Sequence, residues 1–293
     1  MEKERIELCC HTKMSELQGI ADVGDYLIEA DKRRYSGVGF TDVNSVQAFM
    51  AASKSIGIYA DDIKIIYGAE MYFKENVKDK ELYRIYVYVQ KQAGLKNLYK
   101  LISIANNDVD DDKHPLLKSD LDKYRKGLLY ASVGNEGEVY KKIKRKNIQD
   151  IVDYYDFLGI NPLNSSKTIN KKINEICSQK GKVLIGTTEC NYINEEDFKC
   201  NEILNKYKKI SDFTQGNGYY FKTSEELIND FNYLENAEEI VTINTIKIKD
   251  QIEEKNVINE SGHSPIIEDS KEKIYKECYD KQKAYMVRAF QKK

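Results

Sequence analysis

The chain has 293 residues, and its 46 Lys and Arg against 48 Asp and Glu leave a net charge of −2, which excludes the global basic field that sequence-independent nucleic-acid binding rests on. Hydrophobic residues make up 41% and charged residues 32%, with a mean hydropathy of −0.63, enough for a core under a polar surface in one large domain or two small ones. A terminus charged from Glu2 onward and the lack of an apolar run near the ~20 residues of a membrane span argue against a leader or anchor and predict a cytoplasmic protein whose six cysteines, Cys9, Cys10, Cys177, Cys190, Cys200 and Cys278, stay reduced.

Ile6 to Leu8 is a short apolar run that exits into a polar turn, as a buried strand does. Residues at i and i+2 of a strand share a side, so Cys9 and His11 face one way, and a thiolate with an imidazole is half of a zinc site; the plainer reading is two unrelated residues. A helical pattern follows from about Val23 to Arg33, then a buried strand over Gly37 to Thr41 and a helix over Val46 to Ser55. Lys64 to Phe73 and Leu82 to Val89 are the clearest strands, rich in β-branched and aromatic residues. Leu95 to Ile104 reads as a helix, and Asn106 to Lys113 as a polar loop. Gly127 to Ala131 and Tyr154 to Ile160 read as strands, Asn164 to Lys180 as a helix and Lys182 to Thr188 as a last buried strand. From Glu195 the pattern turns helical, with a capping-box start at Thr223-Ser224-Glu225-Glu226 and a helix over Ala237 to Ile252. Strand–helix alternation of this kind makes a parallel α/β architecture, open or closed.

Several phrases in this order resemble the PHP (polymerase and histidinol phosphatase) domain of PolC-type bacterial DNA polymerase III α-subunits. They are Cys9-Cys10-His11-Thr12-Lys13-Met14-Ser15, similar to a His-x-His-Thr-Lys-Met-Ser opening, and Thr41-Asp42-Val43-Asn44, where the family reads Thr-Asp-His-Gly. Ile66-Tyr67-Gly68-Ala69-Glu70, Gly94 to Ser103, Lys126 to Leu129, Tyr154 to Leu158 and Thr242 to Ile252 continue the likeness, which spans about residues 5 to 268. It implies an α/β fold, a distorted (βα)7 barrel over residues 1–267, with its site at the C-terminal ends of the strands. Residues 268–293 are expected to form a C-terminal helical tail, similar to the segment that leads toward the palm. The family's proofreading exonuclease insertion has no room between Glu70 and Leu82, and no polymerase core follows. The sequence is therefore expected to be an excised piece or a natural remnant.

Active relatives of this kind bind three metals through nine ligands. Carried over by resemblance, the first pair falls on Cys9 and His11, and the bridging glutamate is Glu70. The next positions hold Gln18, Val43, Asn106 and Gly134, and the closing pair is Glu189 and Asn191. Gln18, Val43, Asn106, Gly134 and Asn191 have lost the ability to ligate, so two metal positions are lost and with them the paired cations that activate a water. Cys9, His11, Glu70 and Glu189 fall on one remaining position. The expected cofactor is thus none, or a single zinc on those four. The alternative for them is buried small thiols and carboxylates paired to lysines or water.

The isolated chain is expected not to hydrolyse phosphoesters. It reads as a degenerate PHP module of DNA replication whose partner is a polymerase core or another replication protein, with DNA met only indirectly and no membrane. The competing readings are a single-metal phosphoesterase and a free-standing barrel with a new protein-binding role. Other residues read as bland. His114 and His263 are expected in exposed turns, and Ser15, Ser45 and Ser132 have no matching histidine for a triad. Gly216-Asn217-Gly218 is a turn rather than a phosphate loop, Lys141 to Lys146 a solvated helix face, and the 22 tyrosines mostly core.

Overall fold

A computed structural model describes residues 4–15, 18–55, 58–59, 62–107, 115–163, 165–207, 218–258 and 267–290. The expected turn residues His114, His263, Gly216 and Asn217 lie outside them. Two compact units divide at Val257 and Ile258. The sequence places its boundary after Ile267, on the far side of residues 259–266, which are also outside the described set.

The first unit is a curled sheet with helices on its outer face. In chain order it runs β1 (Ile6–Cys10), α1 (Val23–Lys32), β2 (Gly37–Phe40), α2 (Ala48–Ser55), β3 (Lys64–Lys74), β4 (Tyr83–Val89), α3 (Gln92–Ala105), β5 (Leu116–Leu117), α4 (Lys118–Tyr124), β6 (Leu128–Val133), α5 (Glu138–Lys141), α6 (Ile148–Tyr154), β7 (Phe157–Ile160), α7 (Lys167–Lys180) and β8 (Leu184–Gly186). Helices α8 (Phe198–Tyr207), α9 (Ser224–Asp230), α10 (Ala237–Val241) and α11 (Ile243–Asp250) follow. The second unit contains α12 (Ser270–Phe290).

The strands are ordered β1-β2-β3-β4-β6-β7-β8, with β5 added beside β3. All neighbours pair in parallel except β4, which is antiparallel to both β3 and β6. That one reversal carries the main structural consequence. The C-terminal ends of the parallel strands form the mouth, and β4 delivers its N-terminal end, Tyr83 and Arg84, to the same place. The ends of the sheet meet at the mouth: His11 N donates to Cys190 O (2.8 Å), Cys190 N donates to Cys9 O (2.8 Å), and Cys10 bridges Cys190.

Alternation along the strands separates two apolar layers. Ile6, Leu8, Cys9, Ile66, Tyr86, Tyr88, Ala131, Val133 and Phe157 fill the interior, joined by Ile248 and Ile252 from α11 and its end. Val38, Phe40, Ile65, Tyr67, Ile85 and Val87 point outward onto the helices. Helix α11 lies at the opposite end from the mouth, where Ile6 N donates to Thr245 Oγ1 (3.2 Å) and Lys64 Nζ to Lys249 O (3.1 Å).

Most expected elements fall where periodicity puts them, and three do not. The basic run Lys141 to Lys146 is not a solvated helix face, because α5 ends at Lys141 and the chain turns inward to bury Lys142 and Ile143. Tyr154 ends α6 instead of starting a strand, because Ile148, Ile151, Val152 and Tyr155 recur at helical spacing and bury one face. The helix expected over Ala237 to Ile252 breaks at Thr242 (φ −110°, ψ −76°), which lets α10 and α11 take different directions. The capping box at Thr223 forms as read: Glu226 N donates to Thr223 Oγ1 (3.2 Å) and Thr223 N to Glu226 Oε2 (2.8 Å).

Candidate active site

The mouth is built from the turns after β1, β2 and β8 together with β3 and β4. β1 runs into Cys9-Cys10-His11-Thr12, whose turn is folded around Asp42 just past β2. Asp42 accepts hydrogen bonds from Thr12 N (2.7 Å), Thr12 Oγ1 (2.8 Å) and Ser15 Oγ (2.6 Å), and Ser15 Oγ in turn accepts from Val43 N (3.1 Å). The Thr-Lys-Met-Ser and Thr-Asp phrases are therefore each other's structural partners. Ser15 is a positioning group here, not a nucleophile.

Glu70 lies mid-strand in β3, fully buried and pointing into the barrel. Its backbone is tied to the Thr41-Asp42-Val43 segment, and Val43 bridges it as a strand partner with an aliphatic side chain. The Glu70 carboxylate accepts a hydrogen bond from Tyr86 Oη (2.7 Å), faces His11 Nε2 at 3.1 Å and lies 3.7 Å from Arg84 Nη1. Glu189 comes from the turn after β8 and adopts a left-handed backbone (φ +55°), a conformation held only where its surroundings impose it. One of its carboxylate oxygens pairs with Arg84 Nη2, and the other accepts from Asn161 Nδ2 (3.0 Å). Arg84 Nη2 also donates to Val133 O (3.2 Å).

The guanidinium of Arg84 thus stands between the two carboxylates the sequence singled out. Arg84 is 6% exposed, Glu189 5%, His11 1% and Glu70 0%, so the charges face one another in a dry environment where such pairing is strong. Burial pushes the Glu70 carboxyl up, but Arg84, His11 and Tyr86 override it and hold the group at about 2. The Glu189 carboxyl moves the other way. Burial raises it, Arg84 opposes this, and the like charge of Glu70 adds to it. Burial pulls the His11 imidazole down, yet contact with Glu70 outweighs that and leaves it above its ordinary value. His11 Nδ1 donates to Asn191 Oδ1 (2.9 Å).

The four residues expected to share one zinc are only partly assembled. His11, Glu70 and Glu189 converge, the latter two through Arg84. Cys9 belongs to the apolar interior instead. Its thiol contacts Tyr88 Oη (3.4 Å), and burial together with Glu7 pushes it well above the ordinary thiol range. A thiol held protonated is a poor zinc ligand. Among the described residues no group of three or more His, Cys, Asp and Glu is placed to hold a metal ion. The positions of the missing ligands explain themselves locally. Asn106 is an exposed helix end that donates to Asn44 O (3.1 Å) and Ile102 O (2.9 Å). Gly134 (φ +65°) lies so close that a Cβ there would come within 2.7 Å of Glu189 Oε1 and 2.9 Å of Arg84 Nη2. The donor set does not fit a three-metal centre, because an arginine takes the carboxylate edges that cations would need.

Arg84 was missed in the sequence. The signal was available: a charged residue on the same face as Tyr86 and Tyr88 in a strand buried along its whole length. It could not be interpreted without knowing that this strand runs backwards.

The sequence matches the PHP domain family over residues 7–221. The chain belongs to that family. Its curated relatives include the PolC-type DNA polymerase III of Clostridium perfringens, 29% identical over 220 residues that cover 68% of this chain and 15% of the relative. The corresponding protein of Halalkalibacterium halodurans is 32% identical over 222 residues, covering 66% of this chain and 15% of its own length, and that of Bacillus subtilis 28% identical over 219 residues, covering 64% and 15%. The chain therefore spans about 15% of these polymerases. Among solved structures, an amidohydrolase from Chromobacterium violaceum superposes with a TM-score of 0.46 at 10% identity, covering 68% of this chain and 96% of that one. The fold is the expected mixed α/β barrel, curled and incompletely closed. No helix among the described residues is long and apolar enough to cross a membrane.

Proposed function

We propose that this PHP-family barrel is a catalytically silent structural module of the DNA replication machinery, which supports a polymerase core in the same chain or in trans in the cytoplasm. One observation carries the reading: Glu70 Oε2 and both carboxylate oxygens of Glu189 are already engaged by Arg84, Tyr86, Asn161 and His11 inside a buried mouth. Hydrolysis of a phosphoester in such a fold requires a water lowered in pKa and a leaving oxygen neutralised, usually by paired cations. Val43, Asn106, Gly134 and Asn191 offer no charged ligand for a second cation. A single cation on Cys9, His11, Glu70 and Glu189 would have to displace Arg84 and free Cys9 from Tyr88. The match to PolC-type polymerases supports a replication context, and the near-neutral charge supports contact with protein rather than directly with DNA.

The purified chain, supplied with zinc, manganese or magnesium, is expected to leave p-nitrophenyl phosphate and 3′-ended oligonucleotides intact. Turnover that disappears in Glu70→Ala overturns the silent-module reading. The partner half is tested by gel filtration with a PolC-type polymerase core expressed without its own PHP domain. Co-elution is expected, and separate peaks at micromolar concentration overturn it.

A further inference from the structure

We propose that Arg84 is a protein-borne counter-cation that takes the place of bound metal in this barrel, and that neutralising it uncovers a divalent-cation site on Glu70, Glu189 and His11. Three independent features of the geometry lead there. The first is direction. β4 is the one strand antiparallel to its neighbours, so its second residue, Arg84, reaches the mouth rather than the far end. The second is bridging. Nη1 lies 3.7 Å from Glu70 Oε2 while Nη2 pairs with Glu189 Oε1 and donates to Val133 O at 3.2 Å, so one fork joins carboxylates contributed by β3 and by the turn after β8. The third is space. Gly134 stands where a side chain would overlap both Arg84 Nη2 and Glu189 Oε1, so the lost ligand at 134 and the arginine occupy the same volume.

An arginine placed only for packing would be expected to spread its guanidinium over an aromatic face. Arg84 does lie over Tyr86, 5.4 Å from the ring centroid, but its nitrogens are aimed at the two carboxylates. What remains when the guanidinium is removed is a set of donor atoms that a cation can take. Glu70 Oε1 has no hydrogen-bond partner among the described residues, His11 Nε2 faces Glu70 Oε2 at 3.1 Å and offers a lone pair once deprotonated, and Glu189 Oε1 would lose the partner it has. Two carboxylates and an imidazole suit zinc or manganese better than magnesium. The native chain needs none of these ions to neutralise its mouth.

The inference rests on the buried-mouth reading above, but its test reads metal binding and stability instead of turnover, so either can fail without the other. The full chain is treated with chelator and compared with Arg84→Met, Arg84→Lys and Arg84→Met/Glu189→Gln, with and without zinc or manganese chloride. Melting temperature and bound metal per chain are measured. Loss of the charge in Arg84→Met is expected to lower the melting temperature by about 10 °C. Added zinc or manganese should recover about half of that and bind at about one ion per chain, while native protein and Arg84→Lys show no shift. The double variant, which removes both charges, should melt near the native temperature without metal. If Arg84→Met does not accumulate folded, its refolding yield from urea should rise several-fold with manganese. Equal metal stabilisation of native protein and Arg84→Met overturns the proposal, as does an Arg84→Met that ignores metal in both melting and refolding. A double variant as unstable as the single one assigns Arg84 to packing instead.

Discussion

Two glutamates of this chain, Glu70 in the barrel mouth and Glu138 at the start of helix α5, are both fully buried, yet they are neutralised by opposite strategies. Glu138 is served locally and redundantly. Lys142, one helical turn on, donates to Oε1 (2.7 Å), Tyr155 Oη donates to Oε2 (2.7 Å), and Lys118 Nζ stands 3.7 Å away. Glu70 and Glu189 share one guanidinium from a different strand, with His11 and Tyr86 beside Glu70 alone. A lysine ammonium is a point charge on a flexible stem that another lysine can replace, whereas a buried arginine fork is fixed and bidentate. The first arrangement tolerates loss of a member. The second leaves two carboxylates facing each other, the configuration that a metal otherwise resolves. This difference sets the mouth apart from the α5 cluster, which is ordinary architecture.

The comparison breaks first at Arg84. Arg84→Met should cost about 4 kcal/mol in urea unfolding, because it strands Glu189 without a counter-charge and leaves Glu70 only His11. A cost near that of a surface lysine would erase the distinction between the two clusters.

Acid titration sharpens it. The groups facing Glu70 are Arg84 and Tyr86 from β4, His11 after β1 and, at longer range, Glu189. Because its folded value is depressed to about 2 from 4.5, Glu70 contributes stability that is complete above the unfolded value and drains as pH falls toward the folded one. That contribution is on the order of 3 kcal/mol. Native protein should therefore lose stability between about pH 5 and pH 2 more steeply than Glu70→Gln. Parallel curves would show that Glu70 carries no such charge. His11 works in the other window: its raised value supplies stability below its unfolded pKa, which is lost as pH climbs through the folded one.

Gly134 tests whether arginine and glycine are one adaptation. An alanine there meets a left-handed backbone and a Cβ within 3 Å of both Glu189 and Arg84. A loss of about 2 kcal/mol is expected. In the Arg84→Met background that penalty should shrink, since one of the two crowding groups has gone. Simple additivity of the two losses separates them.

The fold was legible because hydrophobic period and element order are local properties. β3, β4 and α3 fall within three residues of where pattern alone places them. Tyr154 misled because two adjacent tyrosines before Phe157 carry strand propensity, while the helical spacing of Ile148, Ile151 and Val152 decides the matter in three dimensions. The site was half legible. His11, Glu70 and Glu189 are visible through family phrases, but Arg84 carries no phrase, and its role depends on strand direction. Cys9 and His11 do share the barrel interior around Tyr86, as the i, i+2 rule has it, but the thiol lies against Tyr88 rather than with Glu70 and Glu189, a contact that alternation alone does not reveal.

The smallest effect belongs to Lys142. Its ammonium pairs with Glu138 and Glu75 (both at 2.7–2.8 Å) and lies 4.3 Å from the Tyr83 ring centroid. Methionine at 142 keeps most of the aliphatic stem that covers Tyr83 and removes only the charge. Glu138 then retains Tyr155 as a hydrogen-bond donor and Lys118 as a cation that can close the remaining gap. Lys142→Met should therefore cost about 1 kcal/mol, the worth of one net hydrogen bond. Loss of Lys118 as well should cost clearly more than the sum of the two single substitutions, since only then does Glu138 lack a cation. If Lys142→Met alone is as damaging as Arg84→Met, redundancy is not what distinguishes the two clusters, and burial of the carboxylate by itself sets the cost.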